Sequence, residues 1–203
     1  MIRPGVRSLL VACAVVSGAC EQRAHEPIAP AQIFDAVQAT PRLTDVALPL
    51  PLRSVARLRS HSIVTHSGVS ERVGAVDVFY TGDAARYDEA ATADTEIHTV
   101  SATWRVGSDD SVRVLHTRFS SAITRTLARE GECFARPRYY PPGPLVTRWP
   151  NGEGAVWLHW KLTDTVPSPN GPIAYPPTLS VGVTLRARSL HDYFERLIPS
   201  PCT

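Results

Sequence analysis

The chain has 203 residues, 43% of them hydrophobic, 20% charged and 7% aromatic. That is a globular composition, which excludes wholesale disorder and collagen-like repeats. Net charge is +2, but Arg3 and Arg7 carry the excess, and from Cys20 onward 19 basic residues face 19 acidic ones. A neutral chain lacks the basic footprint that nucleic-acid binding needs, so no nucleic-acid partner is expected.

Residues 1–7 form a basic n-region, and residues 8–16 (SLLVACAVV) form an apolar h-region. That run is well short of the roughly 20 residues a membrane-spanning helix takes. Small residues then lead to a cysteine, in Val16-Ser17-Gly18-Ala19-Cys20, which is the anatomy of a secretory signal. The junction resembles the lipobox of bacterial lipoproteins, whose cysteine receives a diacylglyceryl group before cleavage. Ser17 stands where lipoboxes usually carry Leu. The resemblance covers residues 1–20 and implies a signal peptide at 1–19 and a lipidated N-terminus at Cys20. It also implies a membrane contact through acyl chains, each buried methylene contributing roughly 0.8 kcal/mol. Glu21 follows the cysteine in place of the Asp that tends to hold enteric lipoproteins at the inner membrane. The implied location is therefore the outer membrane, facing the periplasm. The competing reading is plain cleavage after Ala19 with Cys20 left as a thiol.

Cys13 leaves with the signal and Cys20 is taken by lipid, which leaves Cys133 and Cys202. An even pair in an oxidising compartment reads as a disulfide. The closed loop of about 70 residues would contribute roughly 4 kcal/mol by chain entropy. The alternative, a nucleophilic cysteine, finds no signature in Gly131-Glu132-Cys133-Phe134.

In chain order, residues 20–56 read as a Pro-rich tether, with Pro27, Pro30, Pro41, Pro49 and Pro51 breaking regular structure. One short helical pattern fits at 31–38, and the apolar run LTDVALPLPL fits an edge segment against the domain. Residues 57–203 read as a single β-rich domain. Strands are expected at 58–65 and at 75–81, where Val76, Val78 and Tyr80 share a face. Residues 96–106 and 111–119 read as a hairpin closed by Gly107-Ser108-Asp109-Asp110, with Trp104 opposite Val114 and His116 opposite Ala102. A short helix is expected at 121–129, capped by Gly131. The clearest strands are 155–163, with Val156, Leu158, Trp160 and Leu162 on one side, and 178–186, with Leu179, Val181, Val183 and Leu185 on one side. The link 164–177 between them reads as a surface loop. An amphipathic helix is expected at 189–198, ended by Pro199. The fold class is mainly β, an antiparallel β-sandwich or half-open barrel with two short helices. The alternative is α+β, with the C-terminal helix packed on an antiparallel sheet.

Chemistry-bearing motifs are sparse. His61, His66, His98, His116, His159 and His191 show no zinc-ligand spacing, and no metal or cofactor is expected. No G-x-S-x-G or S-x-x-K occurs around Ser67, Ser70, Ser120 or Ser121. The acidic run 83–96 lacks EF-hand spacing and reads as a solvated loop. Residues 135–154 stand out, with Arg136, Arg138, Arg148, Tyr139, Tyr140 and Trp149 among prolines and glycines, and Trp157 on the adjacent strand. Tyr, Trp and Arg dominate binding hot spots, and Pro lowers the ordering cost of a loop. These residues are the candidate surface for an envelope protein or a glycan. Packing against an open end of the core is the other role open to Tyr139 and Trp149, and burial is expected for Trp149 with exposure for Tyr140. The function expected is a non-catalytic binding or scaffolding domain on a lipid anchor, alone or as a subunit of an envelope complex. The alternative is an envelope hydrolase or transferase whose site assembles only in three dimensions.

Overall fold

A computed structural model describes residues 27–39, 47–51, 63–65, 68–82, 95–135, 146–185 and 197–202. The strands are β1 (Leu50–Pro51), β2 (Ile63–Thr65), β3 (Gly68–Val73), β4 (Val76–Gly82) and β5 (Glu96–Arg105), then β6 (Glu132–Ala135), β7 (Val146–Asn151), β8 (Gly154–Lys161), β9 (Asp164–Val166), β10 (Ile173–Tyr175), β11 (Thr178–Thr184) and β12 (Ile198–Pro199). The described helices are α1 (Pro30–Ala36) and α2 (Asp109–Leu127). The fold is mainly antiparallel β with helices, as the period-2 segments require. One ten-stranded sheet runs β12-β6-β7-β8-β11-β5-β4-β3-β2, with β1 beside the start of β5. Two meanders, β2 to β5 and β6 to β8, are joined by β11, which inserts between β5 and β8 and pairs with both over its full length.

The alternating pattern decides which face is apolar. Val156, Leu158 and Trp160 of β8 stand opposite Val183, Val181 and Leu179 of β11, and these in turn stand opposite Val100, Ala102 and Trp104 of β5. Both helices lie on that face. Val112, Phe119 and Ile123 of α2 and Ile33 and Phe34 of α1 join the same buried cluster, with Trp104 edge-on to Phe119 at 5.2 Å between centroids.

The largest departure from the sequence expectation is α2. Residues 111–119 are not the second strand of a hairpin, and Gly107–Asp110 is not its turn. Ser108 is the N-cap, its hydroxyl accepting from Ser111 N at 3.2 Å, and Asp109 and Asp110 occupy the first turn, where the helix dipole favours acids. Val112 and Val114 imitate strand alternation, yet Val114 is 68% exposed while Val112, Phe119 and Ile123 are buried at helical spacing. Trp104 therefore meets Val76 and Leu179 instead of Val114. The helix ends at Ala128 in the left-handed conformation (φ 49°), three residues before the expected glycine cap. Gly131 serves a different need. A Cβ there would come within 2.5 Å of Thr147 and 2.7 Å of the Trp149 ring, so the chain crosses β7 closely only as glycine.

Within residues 20–56, the described part carries the expected short helix, as α1, and the expected edge segment, as β1, and both dock on the domain. Ile33, Phe34 and Val37 are buried, Ile28 exchanges two hydrogen bonds with the Asn151 side chain (2.8 and 2.9 Å), and β1 pairs with β5. Apolar side chains at positions 33, 34 and 37 make docking more favourable than solvation. Ile198 also departs from the expected C-terminal helix, because Ile198 and Pro199 pair with Ala135 and Phe134 of β6. Residues 186–196, which hold the rest of that helix, lie outside the described residues, as do His61, His66, His191, Ser67 and the acidic run 83–94.

Candidate functional site

Cys133 and Cys202 form a disulfide, Cα to Cα 5.2 Å, across a separation of 69 residues. It fixes the chain end to β6 beside the short strand β12, where Ser200 N also donates to Cys133 O at 2.8 Å. Cys133 is buried and Cys202 exposed. Beneath the bridge, Thr147 Oγ1 lies 3.5 Å from Cys133 Sγ and 3.3 Å from His116 Nε2. His116 packs against Trp160, and burial pushes its imidazole down to about 4. A neutral histidine, a buried hydroxyl and a bonded sulfur contain no exposed nucleophile, so this cluster holds the α2 to β7 contact together.

The recognition residues expected from the sequence separate on folding. Arg136, Arg138, Tyr139 and Tyr140 lie outside the described residues, as does Cys20. Trp149 is fully buried, its Nε1–H donating to Thr124 Oγ1 at 3.2 Å, so it is a core residue of the β7 to α2 contact and cannot be a contact for a partner. Its strand register explains this: Trp149 faces Val156, on the helix-covered side. Arg148 and Trp157 pair on the opposite face. Arg148 reaches Glu132 at 3.4 Å and stands over the Phe134 ring at 5.8 Å. Trp157 lies across β11, where a Cβ on Gly182 would come within 2.2 Å of its ring, and only glycine admits the indole at that depth. Its Nε1–H has no hydrogen-bond partner among the described residues.

Around Gly182 on that second face, strand hydroxyls pair across β5 and β11. Thr103 and Ser180 are directly opposite each other with hydroxyls 2.8 Å apart, and Thr99 donates to Thr184 at the same distance. Cross-strand hydroxyl pairs of this kind stabilise a sheet without offering a free reactive group. His98 Nε2 lies 3.3 Å from Glu96 Oε2, and His98 and His116 have different partners. Among the described residues no group of three His, Cys, Asp or Glu converges on a metal site.

One feature escaped the sequence reading. The expected loop 164–177 contains a two-stranded arm, β9 paired with β10. Lys161 to Thr178 and Asp164 to Tyr175 keep one register, so the arm prolongs the β8 to β11 pair. The ladder breaks where Pro176 and Pro177 supply no N–H opposite Leu162 and Thr163. The base is tied down on both strands. Thr163 donates N–H and Oγ1–H to Asp109 Oδ1 (2.8 and 2.9 Å), which lowers that carboxyl below its ordinary range, and Val106 N donates to Pro177 O at 2.9 Å. At the tip, Gly171 N donates to Ser168 O at 3.0 Å. Val166, Ile173 and Tyr175 share one face of the arm and are 43%, 48% and 45% exposed. The alternation of Val166, Ile173 and Tyr175 was the available signal, hidden by the five prolines around it.

Compared with family models, with curated proteins and with solved structures, the chain matches none.

Proposed function

We propose that the chain is a lipid-anchored cell-envelope protein whose β-rich domain binds or scaffolds. Acylated Cys20 would hold it at the outer membrane, facing the periplasm, where an envelope protein or a glycan is its partner. The observation that carries this reading is the Cys133–Cys202 disulfide. Such bonds persist in oxidising compartments and are rare in the cytosol, which agrees with the basic, apolar and small-residue order of residues 1–20. Arg136, Arg138, Tyr139 and Tyr140 keep their compositional warrant as the contact for that partner.

The test is fractionation of the full chain against Cys20→Ser, with intact-mass analysis of the mature N-terminus. A diacylglyceryl-modified Cys20 and release of the serine variant into the soluble fraction are expected. An unmodified N-terminal cysteine would refute the anchor.

A further inference from the structure

The C-terminal strand is held to the sheet by a covalent bond and little else. In the described sheet β12 is the end strand, beside β6. Its ladder covers two residues, Ile198 opposite Ala135 and Pro199 opposite Phe134. Of residues 197–202 only Leu197 is buried; Ile198 is 51% exposed, and Pro199, Pro201 and Cys202 are exposed. A segment with so few buried apolar contacts belongs at the low end of local stability. Its backbone nevertheless suits one task. Ser200 N–H donates to Cys133 O at 2.8 Å in the register of the ladder, so Ile198 and Ser200 are the hydrogen-bonded positions. Pro199 and Pro201 then turn their backbone outward, where neither has an N–H to offer. Strand edges that carry proline resist the addition of another strand. Residues 198–202 (IPSPC) are thus a cover that closes the sheet at β6.

The bond that holds this cover has two unequal halves. Cys133 is buried, with Thr147 Oγ1 3.5 Å from its sulfur, whereas Cys202 is exposed. Thiol–disulfide exchange depends on access to the attacked sulfur, and exposed disulfides are the labile ones. Cys202 is therefore the sulfur a reductant reaches. Cys133 is the leaving group, and the Thr147 hydroxyl stands where it can donate to the thiolate. We propose that the Cys133–Cys202 bond is a redox latch: a small dithiol opens it, residues 198–202 leave β6, and the edge of β6 is uncovered while the sheet stays folded. One thiolate of the dithiol bonds to Cys202 Sγ as the Cys133–Cys202 bond breaks, and Cys133 leaves as a thiolate and takes a proton. The second thiol of the reagent then displaces Cys202 as a thiol. The reagent ends as a cyclic disulfide, and the protein gains two electrons and two protons. β6 keeps its pairing with β7, from Glu132 opposite Arg148 to Phe134 opposite Val146. Once uncovered, the N–H and C=O groups of Cys133 and Ala135 form a template for strand addition. The latch does not depend on the anchor at Cys20.

The test is hydrogen exchange read by NMR on the full chain in detergent micelles, oxidised and after dithiothreitol, with alkylation and intact mass to show when both thiols are free. The Ala135 amide points to β12 and the Phe134 amide to β7, so adjacent residues report the two sides of one strand. Both should be protected in the oxidised chain. After dithiothreitol without denaturant, Ala135 should lose its protection and exchange like an unfolded chain, while Phe134 stays as protected as the amides of β8 and β11. Cys202→Ser should reproduce that loss with no reductant. An Ala135 amide that stays as protected as Phe134, either with both thiols free or in Cys202→Ser, would overturn the latch and leave the bond a plain staple. So would a bond that dithiothreitol cuts only after denaturant unfolds the chain, or a Phe134 amide that loses its protection together with Ala135.

Discussion

Strands β8 and β11 pair twice, once inside the sheet and once, as β9 and β10, beyond it, and the two halves share one register. In the sheet half, Val156, Leu158 and Trp160 face Val183, Val181 and Leu179 beneath α2, with β7 and β5 on either side. In the arm half, Val166, Ile173 and Tyr175 alternate equally well and remain about half exposed. Pairing is common to both, so pairing does not bury side chains. Burial comes from the neighbouring strands and the helix layer, and the apolar contribution of about 25 cal/mol per Å² is collected only where they are present.

That contrast predicts effects that shrink from the sheet outward. Trp149→Ala, beneath α2, should lower unfolding stability by about 3–5 kcal/mol, read from the denaturant midpoint; a change under 1 kcal/mol would show that α2 does not seal this face. Replacing both Cys133 and Cys202 by Ser should cost about 2–4 kcal/mol, because the 69-residue separation frees a long loop in the unfolded chain. The loss should be seen as a lower melting temperature that matches the wild-type chain under reductant.

Next comes the pH response of His116. Its folded value of about 4 lies below the ordinary value of 6.5, so between those limits the unfolded chain binds the proton and the folded one does not. Stability is therefore complete above pH 6.5 and declines as pH falls toward 4. His116→Gln should flatten that part of a stability-against-pH curve, and an unchanged slope would mean that the imidazole is more solvated than its packing on Trp160 implies. The smallest effect belongs to the arm. Ile173→Ser should change unfolding stability by no more than about 0.5 kcal/mol, and a loss comparable to that of Trp149→Ala would show that the arm packs on the domain.

The segments legible in the sequence are those with several neighbours enforcing one period. Residues 155–161 and 178–184 alternate because both flanking strands and a helix demand it, and β4 and β5 follow for the same reason. The disulfide was legible by elimination of the other cysteines. Helix α2 was not, because Val112 and Val114 satisfy a strand pattern locally, and only the burial of Phe119 and Ile123 with Val112 distinguishes a period near 3.6. Its N-cap, Ser108 followed by two acids, was the local signal that a turn reading absorbed.

The sequence by itself determined the class of fold, the strands with one apolar face and the thiol pair, since each is written in short-range periodicity or in residue chemistry. Only the tertiary structure decided which aromatic is core and which is surface. Trp149 and Trp157 sit on adjacent strands with similar surroundings in the chain, yet register turns the first under α2 and the second onto Gly182. Tertiary structure likewise decided that the short helix expected at 31–38 docks, because Ile33, Phe34 and Val37 have a partner surface only once the sheet and α2 exist together. Composition says that a side chain is apolar; where it meets other apolar atoms is a property of the assembled layers.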